Sequence, residues 1–175
     1  MAYADLVTIQ ATDPGSVLTA AWCDQARDND EFLIDPPACS VFHSTTQSVA
    51  TSTFTVLSAD SEVFDNDAMH STVTNTARIT AQTAGRYLLF TRHNWQANTT
   101  GSRVIQYRVN GVDPGATAQQ LAALPVATAG INTQLSAAWS LVLAAGDYVE
   151  VAGWQNSGAA LNVTLEEFSA VFLTR

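Results

Sequence analysis

The alternation of apolar and polar positions is strongest between Ala77 and Trp95. Ile79 and Ala81 alternate with polar residues, and Thr83-Ala84-Gly85 makes a small-residue corner. Tyr87, Leu89 and Thr91 then follow one face, with Leu88, Phe90 and Arg92 on the other. A period of two marks extended chain. Both faces are apolar around Tyr87–Phe90. The pattern therefore predicts a central strand covered on each side, for instance by a second sheet on one face and a neighbouring subunit on the other.

The start of the chain reads differently. Residues Ala4–Ala11 alternate weakly, as a short strand or an ordered arm. Asp13-Pro14-Gly15-Ser16 signals a turn and a helix cap. From Val17 to Leu33 the period becomes helical: Leu18, Trp22 and Ala26 share a face beside Ala21, and Phe32 and Leu33 close the stripe. Asp35-Pro36-Pro37 ends the helix, because proline lacks a donor and restricts the residue before it. This divides the chain into an N-terminal segment, 1–37, with a stiff Pro-Pro hinge, and a main domain, 38–175.

Past the hinge the chain reads as strands separated by turns. Expected strands are Ala38–His43, Ser52–Leu57 with Phe54 and Val56 inward, Thr72–Ala81, Arg86–Trp95, Arg103–Val109, Gln134–Leu143, Tyr148–Trp154 and Leu161–Leu173. Phe64–His70 reads as a polar, acidic loop. Asn110-Gly111 is a hairpin signal, Asp113-Pro114-Gly115 a breaker, and Ala116–Gly130 an irregular crossover holding at most one short strand. Many short strands at this spacing mean an all-β sandwich or barrel.

Composition narrows the function. The chain has 175 residues, 47% hydrophobic and 13% charged, with no lysine and a net charge of −9. An acidic chain without clustered basic residues argues against nucleic-acid binding. No segment approaches the ~20 apolar residues of a membrane span. The N-terminal residues lack the basic start and apolar run of a secretory signal. Cys23 and Cys39 form no metal-binding pattern. In a reducing cytoplasm they read as free, buried thiols, with a disulfide as the alternative.

Catalytic chemistry is hard to find. The chain holds no Gly-x-Ser-x-Gly elbow, His-Glu-x-x-His or phosphate-binding glycine loop. Adjacent Glu166 and Glu167 on a strand point to opposite faces and cannot pair. Asp65, Asp67 and His70 are the one cluster with metal-ligand chemistry; a solvated or capping turn is the competing reading, and no metal or cofactor is expected. Trp95, Trp139 and Trp154 suit a packed core, unless one is exposed for sugar stacking. His93 at the end of the central strand reads as packing or a pH-sensitive contact.

Three stretches in order resemble the globular jelly roll of the complement C1q and tumour-necrosis-factor superfamily. They are Ile79 with Gly85-Arg86-Tyr87-Leu88-Leu89-Phe90, Leu141 to Val151 around Gly146-Asp147, and Phe168-Ser169-Ala170-Val171-Phe172-Leu173. The resemblance covers roughly 38–175 and implies an all-β jelly-roll sandwich that forms a homotrimer. It places Ile79, Tyr87, Leu89, Phe90, Trp139, Val149, Phe168 and Phe172 in the core or at the trimer contact. The chain also resembles bacteriophage structural proteins that carry this jelly roll behind a short attachment segment, here with Leu18, Trp22, Phe32 and Leu33 as the attachment residues. That implies a non-enzymatic virion protein, assembled in the host cytoplasm. Its expected role is capsid decoration or head fibre in contact with major capsid or tail proteins. The alternative is a tail-fibre or tail-tip knob that binds a host-surface receptor or glycan.

Overall fold

The computed structural model describes residues 20–112, 120–123 and 130–174. It contains one helix, α1 (Ala20–Ile34), and eleven strands among those residues. They are β1 (Ala38–Phe42), β2 (Gln47–Val49), β3 (Thr55–Val56), β4 (Ser61–Asp65), β5 (Ile79–Thr80), β6 (Gly85–Trp95), β7 (Arg103–Val109), β8 (Gln120–Ala123), β9 (Thr133–Leu143), β10 (Tyr148–Gln155) and β11 (Leu161–Thr174). The arm at Ala4–Ala11, the turn at Asp13–Ser16, Leu18 and the breaker Asp113-Pro114-Gly115 lie outside the described residues, as does most of the crossover.

The strands form two antiparallel sheets. One is ordered β4-β1-β11-β6-β9, with β2 also on β11; the other is β3-β10-β7-β8, with β5 also on β10. The predicted central strand is central: β6 lies between β11 and β9, in register from Gly85↔Leu143 to Trp95↔Thr133. Its inward side is buried at every second residue, Gly85, Tyr87, Leu89, Thr91, His93 and Trp95. Of these, Tyr87, Leu89 and Trp95 share one hydrophobic core with Ile105 and Tyr107 of β7, Val149 and Val151 of β10, and Leu165 and Phe168 of β11. The architecture is a jelly-roll sandwich with a short N-terminal helix.

The turns follow from local chemistry. Asn110 and Gly111 both have positive φ, 52° and 74°, as a two-residue primed hairpin turn requires. Val109 and Val112 exchange backbone hydrogen bonds across it. At the same end of the sandwich, the Asp147 carboxylate accepts from Ala144 N and from Asn110 Nδ2. Those bonds hold it below the usual carboxylate range, the Asn110 side chain contributing most.

Several expectations are corrected. The acidic stretch begins as strand β4, paired with β1 at the sheet edge; its exposed Val63 and Phe64 disguise it as a loop. Of Thr72–Ala81 only Ile79–Thr80 is strand. Phe54 is not inward. It is 38% exposed, in a bend preceding the two-residue β3. Phe32 and Leu33 do not share a face. Phe32 is buried edge-on to Phe172, ring centroids 5.1 Å apart, while Leu33 and Ile34 stand exposed. Adjacent residues on a helix diverge by ~100°, so both cannot line one stripe. The Pro36-Pro37 connection is pinned to the body. Asn66 donates to Asp35 and to the Pro36 carbonyl, and Pro37 O accepts from Phe172 N.

Gly85 begins β6 where a side chain has no room. A Cβ there would collide with the Phe172 ring and the Thr174 carbonyl oxygen. Gly85→Ala is expected to lower unfolding stability by about 1–3 kcal/mol, the usual overpacking cost, measured by urea denaturation.

Candidate functional site

The inward side of β6 is consumed by the core, so function must use what the sheets show outward. Along β6 the outward residues are Arg86, Leu88, Phe90, Arg92 and Asn94. The register extends them into rows across the six-stranded sheet: Ser140–Leu88–Val171, then Ala138–Phe90–Ser169–Ser40–Phe64, then Ser136–Arg92–Glu167. Leu88 is 40% exposed, Phe64 47% and Val142, opposite Arg86, 68%. Ser40 and Ser169 lie buried between Phe90 and Phe64. The half of the face nearest the start of β6 is thus apolar.

The other half is polar and tightly paired. Glu166 accepts from Asn94 Nδ2 at 2.9 Å and Gln134 Nε2 at 2.6 Å, and pairs with Arg92 Nε at 3.0 Å. The expectation that Glu166 and Glu167 face opposite ways is overturned. A register shift between Leu165 and Glu167 is a bulge, which sets two residues opposite one. Glu166 reaches the outward Asn94 and Arg92, and Glu167 stands opposite Arg92, so the two carboxylates share this face.

The remaining residues singled out by sequence fall as follows. Ile79, Tyr87, Leu89, Val149, Phe168 and Phe172 are buried between the sheets, Trp139 packs half-buried on Tyr107, and Phe90 points outward. Trp22 is half-buried on α1. Cys39 is buried, which pushes its thiol pKa up, whereas Cys23 is exposed rather than buried as expected. Asp65, Asp67 and His70 come together in the loop after β4, but the Asp65 carboxylate is occupied. It accepts the backbone N–H groups of Asp67, Met69 and His70. His70 Nδ1 lies 2.8 Å from Glu62 and Nε2 3.1 Å from the Thr76 carbonyl. Both ring nitrogens have oxygen partners, so the cluster is built as a loop clamp; among the described residues no His/Cys/Asp/Glu group has metal-holding geometry.

No family model matches this chain, and no curated protein sequence matches it. Solved structures do. The globular domain of a zebrafish complement 1qA protein is similar over 79% of this chain and 98% of that one, at 14% identity and a TM-score of 0.56. Murine APRIL at pH 8.0 is similar over 78% of this chain and 98% of that one, at 15% identity and a TM-score of 0.55. The fold is a jelly roll of the complement C1q and tumour-necrosis-factor type. The likeness covers the sandwich as a whole and, at these identities, speaks for the fold alone.

One inward residue of this jelly roll is a liability. His93 is fully buried, neither ring nitrogen has a hydrogen-bond partner, and Leu135 and Leu165 flank it in register. Burial lowers its pKa from 6.5 to about 3, because the imidazolium would lose its hydration with nothing in return. The unfolded chain takes up this proton near pH 6.5 and the folded chain only near 3. Stability attributable to His93 is therefore intact above pH 6.5 and drains away as the pH falls from 6.5 towards 3, at up to ~1.4 kcal/mol per pH unit. Urea midpoints measured at pH 7 and pH 4 should show a smaller acid loss in His93→Phe than in the wild type.

Proposed function

We propose that this chain is a non-enzymatic structural protein that works as a homotrimer, displayed on a bacteriophage particle as a capsid decoration or head-fibre jelly roll and held there by residues 1–37. The observation that carries the self-association is the outward face of the six-stranded sheet. Five strands at ~4.8 Å spacing, two of five residues, two of eleven and one of fourteen, at ~3.3 Å rise offer a surface of roughly 700 Å². That is the area one partner contributes to a standard specific interface. Half of it is apolar through Leu88, Phe90, Phe64 and Val142, and an exposed apolar patch of this kind marks a contact surface. A face of one subunit meeting a different edge of the next closes into a ring, and three copies suit the fold.

The N-terminal pole supports the anchoring. α1 and the end of β11 lie at the same end of the sandwich, joined by Phe32 on Phe172. Leu33 and Ile34 project from the helix end, 69% and 83% exposed. Beside them an open groove of about 370 Å³ is lined by Phe32, Ile34, Asp35, Pro37, Asn66 and Asp67. Virion placement itself rests on the resemblance of the attachment segment and jelly roll to phage structural proteins.

Leu88→Glu is expected to leave the circular dichroism spectrum unchanged and convert the trimer to monomer in light scattering, since a carboxylate buried without a partner costs several kcal/mol per contact. A wild-type monomer at micromolar concentration would end the trimer reading. For the anchor, Leu33→Asp with Ile34→Asp should still trimerise but fail to join particles in a reconstitution assay. Full occupancy by that variant would move the attachment elsewhere.

A further inference from the structure

The two ends of the sandwich differ in charge. Asp35, Asp65, Asp67, Arg86 and Asp147 cluster at the end that carries α1. The opposite end is formed by residues 44–59, 94–102, 130–136 and 151–165, and none of these stretches contains Asp, Glu, Lys or Arg. They are rich instead in Ser, Thr, Asn and Gln. The charged and titratable groups that do reach this end are engaged. Asp60 accepts from Ser44 and Ser61 with His43 beside it, Arg103 donates to the carbonyls of Asn98, Thr100 and Ser102, and on the other sheet Glu166 is held by Asn94, Gln134 and Arg92.

Two aromatic rings stand at this neutral end, on the outward side of the five-stranded sheet. Phe54 and Trp154 lie 6.2 Å apart between centroids, tilted by 37°, both partly exposed. They are held rigidly. Gly153 sits over the Trp95 ring, 3.0 Å from where its Cβ would be, which fixes β10 against the core just before Trp154. The bend holding Phe54 is clipped to β10 by Ser52 N to Gln155 O at 2.6 Å and Leu57 N to Val151 O at 2.9 Å. Thr51, Ser52, Thr53, Thr55 and Asn156 flank the pair in sequence.

We propose that Phe54 and Trp154 form a stacking platform for a neutral glycan. A sugar ring presents an apolar C–H face that fits flat aromatic surface, and a hydroxyl edge that matches the flanking hydroxyls and carboxamides. Rigid aromatics give contact area at low entropic cost. The absence of charge in the stretches that flank the pair selects against acidic polysaccharides and against charged peptide partners, which would lose hydration without a counter-ion. The platform lies on the other sheet from the proposed contact face, and three copies in a trimer would multiply weak single-site binding. The inference rests on the proposed anchoring only for which end faces outward.

The test uses the full chain on an array of neutral and acidic oligosaccharides, followed by titration of the captured glycan by tryptophan fluorescence, with oligomer mass measured on the same samples. The expected result is capture of neutral glycans that weakens about tenfold or more in Trp154→Ala and in Phe54→Ala, with the mass unchanged. Phe54→Ala, in a bend outside the ladder, provides a folded variant should Trp154→Ala unfold. Capture of acidic glycans only, no capture, or capture that survives both substitutions overturns the proposal. Leu88→Glu separates the two readings: binding that persists in its monomer at reduced avidity keeps the platform, whatever becomes of the trimer.

Discussion

The ladder between β6 and β11 is the constraint on which the rest of the fold depends. β11 bonds to β6 along one edge and takes β1 and β2 along the other, so it ties the C-terminus to both the start and the middle of the chain. Because side chains alternate, sliding this pairing by one residue would turn Tyr87, Leu89 and Trp95 out to solvent and bring Leu88, Phe90 and Arg92 in. The two register shifts in β11, after Leu165 and after Phe172, fix the alignment further. Just before the second, Phe172 packs edge-on to both Tyr87 and Phe32, with centroids 5.5 and 5.1 Å away. The helix therefore depends for its position on a residue near the other end of the chain.

What the sequence shows plainly is whatever has one buried face and runs long enough to repeat. β6 and β9 were legible because each alternates over most of eleven residues, and β7, β10 and β11 because apolar residues run between clear turn signals. β4 was not, because an edge strand with Val63 and Phe64 in the open has neither alternation nor a polar outer face. Phe54 sat in an alternating run that the structure breaks with a bend at Ser52, whose φ is 57°. The bulge at Glu166 left no mark in the sequence, since it is a property of pairing and not of one strand.

The outward surfaces were legible only in part, for the same reason. Leu88 and Phe90 declared a second apolar face directly. Phe64 joins that face through β1, which no local pattern reveals. Trp154 could be named as a stacking residue, but its partner Phe54 reaches it because the segment before β3 is clipped to β10. The one signal that could have marked this end in advance is negative: four separate stretches without a charged residue, which only the strand order brings together.

An acidic protein must put its carboxylates somewhere, and this one places them where backbone N–H groups and turns can hold them. Asp65 caps the loop after β4, Asp147 ties two turns, and Asp60 is drawn to a pKa of about 2 chiefly by the Ser44 hydroxyl and backbone. Asp65 and Asp147 lie at the helix end, where the chain passes from α1 into β1 and the geometry has to be fixed. At the far end, Asp60 at Ser44 apart, the turns are held by amides: Asn156 accepts from Ser102 N, Gln155 from Ser157, and Asn132 from Ala97 N. Those bonds impose no charge on the surface they build. The same choice that holds the far turns with neutral groups thus leaves the aromatic pair in surroundings that a hydroxylated, uncharged partner can enter without stripping water from an ion.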